Sequence, residues 1–197
     1  MDQAIKIQAE PQDARRCRFV VDRPVYEGGS VYFGAPERAA GSSLVEKLFA
    51  LPGVESVLVQ DHLVVVDAET GGNWLPLAKQ IGSAIREVLQ SGEKPISDSV
   101  LSAIPHPAEI KKRVQEVFDE QINPAIAMHG GWVELIDVKR NEVFIRMGGG
   151  CQGCGMADVT LKQGIEQSIR AAVPEVGAIL DTTDHAAGRN PYYQPSK

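Results

Sequence analysis

A stretch rich in proline and serine, residues 93–106, separates two halves of the sequence that both show helix and strand patterns. The stretch itself lacks regularly spaced apolar residues, as is typical of a linker between domains. A chain of 197 residues is long enough for two compact domains of roughly 100 residues each. The sequence therefore predicts one domain at residues 1–92, a second at residues 107–182, and a polar tail at residues 183–197.

The first half predicts two pairs of strands, each pair followed by a helix. Arg18–Val21 and Ser30–Phe33 are rich in β-branched and aromatic residues, and the glycines between them predict a hairpin. Apolar residues recur at helical spacing from Ala39 to Leu51. The remaining elements are two strands and a helix, at residues 54–59, 63–66 and 77–89. The predicted order of this domain is ββαββα.

The second half predicts a helix, two strands, a helix and a final strand. Val143, Ile145 and Met147 alternate with other residues in the manner of a strand that buries one face. A loop of glycines and cysteines follows, and the next helix ends before Pro174. The five elements cover about residues 110–118, 132–138, 143–147, 156–172 and 176–180. The order αββαβ, after ββαββα, indicates a mixed α/β (α+β) fold class.

Charge and cysteine content exclude several classes of function. A net charge of −6 and a pI of about 5.3 provide no basic surface for phosphates, so nucleic acid is not an expected partner. Three cysteines are too few for a secreted disulfide framework and indicate a reducing compartment. We see neither a membrane-spanning apolar run nor a leader pattern. We therefore expect a cytoplasmic protein, in the first place a bacterial one, with a mature mitochondrial form as the alternative.

Cys151 and Cys154 form the motif that says most about function. Two intervening residues allow both thiolates to face one metal centre, and the surrounding glycines allow backbone N–H groups to approach the sulfur atoms. The helix that opens near Met156 would direct its positive end at Cys154 and favour the thiolate. The sequence therefore predicts a pair of metal ligands between a strand and a helix.

Two cysteines supply half of the four thiolates that a usual cubane iron–sulfur cluster needs. The four histidines show no ligand spacing with this pair, and Cys17 is a single residue in the other half of the chain. A second copy of the chain is the simplest source of two more thiolates. Two-fold symmetry would then bring Cys151 and Cys154 of both copies around one cluster. We therefore expect a homodimer that shares the cluster.

Other interpretations of the same residues stay open at this point. A dithiol–disulfide redox protein would use the same Cys-x-x-Cys, and zinc in place of the cluster would give a structural dimer. His129, beside two glycines, is expected to bond the backbone rather than to tune the cluster or relay a proton, and Cys17 is left out of the site. Trp74 and Trp132 suit either the core or a partner contact.

The run Gly148–Cys154, with His129–Gly131 before it and Asp158–Lys162 after it, resembles the C-terminal domain of the Nfu family of NifU-like iron–sulfur proteins. This resemblance covers about residues 108–182. The first half resembles the N-terminal domain that accompanies it in many family members. The residues that carry this second resemblance are Arg23–Val25, Ala39–Ser42, Leu44 and Pro52–Val54.

The resemblance implies an iron–sulfur scaffold or carrier rather than an enzyme. Such proteins receive a cluster, commonly [4Fe-4S], hold it between paired cysteines in a homodimer and deliver it to apo-proteins. The resemblance assigns metal and cluster binding to Cys151 and Cys154 and a catalytic role to no residue. A donor scaffold and apo iron–sulfur proteins are the implied partners, and [2Fe-2S] is a second cluster type. The first domain is expected to recognise partners.

Overall fold

The protein consists of two compact units, Met1–Ile104 and Pro105–Lys197. The computed structural model describes residues 4–128, 130–149 and 155–182, with the backbone alone at residue 149 and residues 155–160. Each unit has its own sheet, with five described strands in the first and three in the second. The expected mixed α/β (α+β) class is therefore confirmed. No helix within the described ranges has the length and apolar character needed to cross a membrane.

The first unit is an antiparallel five-stranded sheet packed against helices. Its elements are β1 (Ile7–Pro11), β2 (Arg16–Val21), β3 (Tyr26–Phe33), a 3-10 helix (Pro36–Ala39), α1 (Ser43–Phe49), β4 (Val54–Asp61), β5 (Leu63–Ala68), α2 (Leu75–Ser91) and α3 (Asp98–Ser102). The strands lie in the order β1-β2-β5-β4-β3, and every neighbouring pair is antiparallel.

One apolar core joins this sheet to α1 and α2. Along β2, Cys17 and Phe19 are buried while the residues between them are partly exposed, which is the period of two expected for a strand with one covered face. On α2, Ile81 and Ile85 are one helical turn apart and both fully buried. Gly92, at φ 73°, ends α2 in the left-handed conformation that glycine adopts without strain.

The predicted hairpin between Arg18–Val21 and Ser30–Phe33 is wrong. β2 lies between β1 and β5, whereas β3 pairs with β4. The glycines that suggested a turn lie inside β3, where the register shifts between Tyr26 and Ser30. They therefore form a bulge in one strand and do not reverse the chain. β1 was not predicted, because its sequence IQAEP has little of the β-branched or aromatic content that marks strands.

The end of the segment expected as a linker packs on the first unit. Residues up to Ile104 belong to that unit, and they include α3. Ile96 is buried in the core, and the Ser97 amide donates to Ser42 Oγ at 3.0 Å. The Ser97 hydroxyl accepts from the Val100 amide, which caps the start of α3.

The second unit has the predicted order of elements, αββαβ, with three consecutive helical segments over residues 107–127 in the place of the first helix. Its elements are α4 (Pro107–Val117), a π-helical turn (Phe118–Ile122), α5 (Asn123–Ala127), β6 (Gly131–Lys139), β7 (Glu142–Gly149), α6 (Gly155–Ala172) and β8 (Ile179–Asp181). β6 and β7 form an antiparallel hairpin, and α6 connects β7 to the parallel strand β8. Val143, Ile145 and Met147 are all buried, as their alternation predicts.

The last strand begins later than the sequence predicts, at Ile179 instead of residue 176. The residues before it form a turn held by side chains of other elements. Asn141 Nδ2 donates to the Glu175 carbonyl at 3.0 Å, and Arg170 Nη1 donates to the Val176 carbonyl at 2.9 Å. The two carbonyls therefore have side-chain partners and do not need the hydrogen bonds of a sheet, so the strand starts after them.

Candidate metal centre

The predicted ligands Cys151 and Cys154 lie in a short connection that falls outside the described residues, as does His129. The elements on both sides of the connection are described. β7 ends at Gly149 and α6 begins at Gly155, so the strand and the helix predicted around the motif are both present. In sequence, one residue separates Gly149 from Cys151, and Cys154 directly precedes α6.

The hairpin of β6 and β7 extends to the start of this connection. Gly131 is opposite Gly149, and Trp132 is opposite Gly148. The Trp132 indole covers Gly148 so closely that a Cβ atom at Gly148 would lie 2.2 Å from Trp132 Cζ2. Glycine at position 148 therefore makes room for the indole. This is a second reason for the glycine run, beside the backbone freedom that the sequence suggested.

Trp132 lies on the outer face of the sheet, where its side chain is 42% exposed. The Arg146 guanidinium carbon lies 5.8 Å from the centroid of the indole ring, within the range of a cation–π contact. Arg146 Nη2 also donates to Glu134 Oε2 at 2.6 Å across the two strands. Trp74, in contrast, is buried in the first unit and donates its Nε1–H to the Asp13 carbonyl at 2.9 Å. The two tryptophans thus have opposite environments.

Asn123 fixes the corner between α5 and β6 that leads into Trp132. Its Nδ2 donates to the Val133 carbonyl at 3.0 Å, and its Oδ1 accepts from the Val133 amide at 2.8 Å. The side chain therefore pairs with β6 as the backbone of a neighbouring strand would. The π-helical turn before it accommodates Pro124, which has no N–H to donate to the carbonyl four residues earlier.

Cys17 is held in an environment unlike that of a metal ligand. It is fully buried in β2, and burial raises the pKa of its thiol from 9.0 to about 11. Its Sγ lies 3.7 Å from the Arg18 carbonyl. Since the thiolate is the form that binds metal, the core keeps Cys17 in the unreactive form.

In the described parts of the chain, no three histidine, cysteine or acidic side chains come together as a metal site would need. His62 Nδ1 lies 3.2 Å from the Val21 carbonyl, and His106 Nδ1 accepts from the Ala108 amide at the start of α4. Both histidines thus contact backbone groups.

Sequence reasoning missed the contact of Trp132 with Gly148 and the pairing of Asn123 with β6. The contact of Trp132 with Gly148 has a signal in the sequence. In the predicted hairpin, pairing residues outward from the turn brings Trp132 near the glycine run. The bonds of Asn123 have no such signal, since they depend on where α5 lies beside β6.

Two protein-family models match the chain. Residues 5–92 match "Scaffold protein Nfu/NifU N terminal", and residues 114–180 match "NifU-like domain". The first description is of a scaffold, which agrees with the expectation that the protein is not an enzyme.

Curated proteins show similarity over part of their length. "Fe/S biogenesis protein NfuA" of Stenotrophomonas maltophilia strain K279a is 52% identical over 86 residues, which is 43% of this chain and 43% of the relative. The protein of the same name from Pseudomonas savastanoi pv. phaseolicola is 47% identical over 88 residues, which is 43% of this chain and 45% of the relative. The match therefore spans less than half the length of these relatives.

A solution NMR structure of a NifU-like protein from Saccharomyces cerevisiae is 20% identical, with a TM-score of 0.43 over 50% of this chain and 90% of its own. Similarity at that level is too low to support a conclusion.

The two family matches, in contrast, account for most of the sequence. The chain therefore belongs to the Nfu family, with an Nfu-type N-terminal domain followed by a NifU-like domain.

Proposed function

We propose that this protein is an iron–sulfur carrier that binds a [4Fe-4S] cluster between two copies of the chain and transfers it to apo-proteins. Cys151 and Cys154 of each copy are the ligands. The observation that carries the proposal is a Cys-x-x-Cys between β7 and α6 of a NifU-like domain. The names of the curated relatives, which describe Fe/S biogenesis, support the same role.

The chemistry of the connection suits a cluster. The 18-residue helix α6 begins directly after Cys154, and the positive end of a helix favours thiolate over thiol. Glycines before and between the cysteines allow backbone N–H groups to reach cluster sulfur atoms. Two thiolates from each of two copies complete the four ligands of a cubane. A site shared in this way opens when the copies separate, which suits delivery.

The first unit is proposed to recognise partners: the donor scaffold and the apo-proteins that receive the cluster. A groove of about 450 Å³ lies between α1 and α2, with an apolar floor and charged residues at its rim. The Lys47–Glu87 ion pair, with N and O 2.8 Å apart, borders it. The residues that line the groove are Lys47, Ala50, Leu51, Lys79, Gln80, Ser83, Ala84 and Glu87. An apolar centre with a polar rim is the usual composition of a transient protein interface.

The proposed setting is the bacterial cytoplasm. The named relatives come from bacteria, which favours this compartment over the mitochondrial matrix. The reducing conditions of the cytoplasm also keep Cys151 and Cys154 as thiols that are ready for a cluster.

Anaerobic reconstitution with iron and sulfide tests the proposal. The products are separated by size, iron and sulfide are counted for each chain, and the cluster type is read by Mössbauer spectroscopy. We expect about four iron and four sulfide atoms per dimer. A reversible Cys151–Cys154 disulfide without a stable cluster would instead support a redox protein. One zinc ion per dimer that iron and sulfide cannot replace would support a structural site.

The role of the groove has a separate test. Ser83→Trp adds a large side chain at an exposed position that lines the groove, while Gln90→Trp adds it at an exposed position of α2 outside the groove. We expect both variants to load the cluster normally and only Ser83→Trp to slow its transfer to an apo-ferredoxin. Equal transfer rates for the two variants would contradict recognition through this groove.

A further inference from the structure

Residues 97–104 form a short segment at the end of the first unit, and we call this segment the strap. It contains α3, which is five residues long and has no buried residue. A helix of this length is not stable without contacts to the rest of the protein. The strap therefore keeps its conformation only while it is docked on the first unit.

Polar contacts of Ser97 dock the start of the strap. The Ser97 amide donates to Ser42 Oγ at 3.0 Å, and the Ser97 hydroxyl donates to the Ala40 carbonyl at 3.2 Å. A Cβ atom at Gly41 would lie 3.3 Å from Ser97 Cβ, so glycine at position 41, with φ 78°, makes room for this contact. Water takes over both hydrogen bonds when the strap leaves, so these contacts can form and break repeatedly.

The chain just before the strap is held more firmly than the strap itself. Ile96 is 3% exposed and belongs to the core of the first unit, and the Ser43 hydroxyl donates to the Lys94 carbonyl at 2.9 Å. The three apolar side chains of the strap are only partly buried against this core: Val100, Leu101 and Ile104. Because burial of apolar surface provides most of the stability of such contacts, the strap opens more readily than Ile96 leaves the core. Ile96 is thus the anchor at which an opening stops.

We infer that the strap detaches from the first unit and that its opening sets the reach of the second unit. While the strap is docked, only residues 105 and 106 lie between Ile104 and the start of α4 at Pro107. Once the strap is open as far as Ile96, the free connection consists of residues 97–106. Two fully extended residues span about 7 Å, whereas ten span about 33 Å.

Opening of the strap requires neither a cluster nor a partner, so it is independent of the proposed function. In the proposed carrier, the longer connection gives the NifU-like domain room to move while the first unit stays bound to a recipient. The strap then acts as a reversible adjustment of the linker length.

Hydrogen exchange of the backbone amides in the full apo-chain tests the inference. The amides of Val100, Leu101 and Ile104 are hydrogen-bonded within the strap. We expect their protection factors to be at least about a hundredfold lower than those of the buried residues of α2 and α4, because local opening needs less free energy than unfolding of a unit. Their exchange should also change little in dilute urea, since opening of the strap exposes little surface.

Two serine variants distinguish undocking of the strap from fraying of α3 alone. Ser42→Ala removes the acceptor of the Ser97 amide, whereas Ser102→Ala removes a hydroxyl that bonds only to carbonyls of α3. We expect the strap amides to exchange about tenfold faster in Ser42→Ala, which is the usual effect of one lost hydrogen bond. Ser102→Ala should change their exchange less than about twofold. The buried amides of α2 and α4 should stay equally protected in both variants.

Two outcomes would overturn the inference. Equal protection of the strap and of α2 would mean that the strap opens only when the whole first unit unfolds. Equal exchange of the strap in Ser42→Ala and the wild type would mean that α3 frays while Ser97 stays docked. Since Ser42 is fully buried, Ser42→Ala is expected to affect the stability of the first unit more than a change at the partly exposed Ser97. Should it lower the protection of α2 as well, Ser97→Ala decides, because it removes the bond to Ala40 from the strap side and should speed exchange about as much.

Discussion

The two units carry their cysteines at different kinds of position: one within a buried strand, and two in the sequence between a strand and a helix. Cys17 is buried in a strand of the first unit, where the apolar core raises its thiol pKa to about 11. Cys151 and Cys154 of the second unit lie in sequence between the end of β7 and the start of α6. A thiol within a sheet core behaves as a small apolar side chain, whereas a helix start favours the reactive thiolate. Position in the fold, not residue type, thus decides what a cysteine can do.

Replacing cysteines in each unit tests this contrast most strongly. Cys151→Ala or Cys154→Ala should abolish stable cluster binding, because each change leaves a dimer with two of the four thiolates. Cys17→Ala should keep the full content of iron and sulfide, counted after anaerobic reconstitution. Circular dichroism of all apo variants should match that of the wild type, because the chain folds before it is loaded. Loss of the cluster in Cys17→Ala would show that the buried cysteine is also needed for cluster binding, and would contradict the contrast between the two units.

Thiol reactivity provides the second test. At pH 8, a shift of the Cys17 pKa from 9.0 to about 11 lowers its thiolate fraction about a hundredfold. An aromatic disulfide reagent should therefore label two thiols of the native apo-protein quickly and the third at least a hundredfold more slowly. In urea, all three should react at similar rates. Three fast thiols in the native protein would contradict the buried position of Cys17.

The same raised pKa of Cys17 determines how the free energy of unfolding changes with pH. The folded state holds the Cys17 proton more tightly than the unfolded state, so its contribution to stability is constant below about pH 9. That contribution is lost as the pH rises towards about 11. The difference in free energy of unfolding between the wild type and Cys17→Ala should shrink over this range.

Asn123 allows a test on the second unit that involves no cysteine. Asn123→Ala should lower the free energy of unfolding by about 2 kcal/mol, because it leaves the Val133 amide and carbonyl without this partner. Asn123→Asp keeps the acceptor for the Val133 amide but sets a carboxylate oxygen against the Val133 carbonyl, so it should cost at least as much. Gln115→Ala, which removes an exposed bond to Asp119, should change stability by less than about 0.5 kcal/mol. Urea unfolding followed by Trp132 emission, with Trp74→Phe in every variant, measures all three.

A smaller effect than that of Asn123→Ala is expected at Gly148. Gly148→Ala should displace the indole at a cost of about 1 kcal/mol, since a half-exposed side chain can swing away from the new methyl group. In a Trp132→Ala background the same change should cost close to nothing. A double-mutant cycle measured by urea unfolding gives the coupling between the two residues. Equal costs in both backgrounds would mean that the glycine has another role.

The order of elements in the second unit could be predicted from the sequence more accurately than that in the first. Its αββαβ order follows from alternation in β7 and helical spacing in α6, which are local signals. The pairing of β2 with β5 in the first unit joins segments about 45 residues apart, and no local pattern specifies it. β1 is a strand because β2 offers it a partner, not because of its own composition.

The surroundings of the candidate site show where sequence reasoning ends. The motif and its flanking elements follow from glycine, cysteine and periodicity. The pairing of Trp132 with Gly148 depends on a shift of register between Leu135 and Asp137. Without that shift, counting from the turn would place Trp132 opposite Gly149. A bulge has no reliable signature in composition, so the residue beneath the indole could be assigned only from the fold.

The sheet edges also bear on how copies of the chain can meet. β1 ends in Pro11, which lacks an N–H, and β3 carries a bulge. Asn123 occupies the N–H and the carbonyl of Val133 in β6, and β8 is three residues long. All four edges of the two described sheets thus oppose the addition of a strand from another molecule. The edges therefore disfavour edge-to-edge association of two copies even at high concentration, which leaves side chains or a shared ligand to bring two copies together.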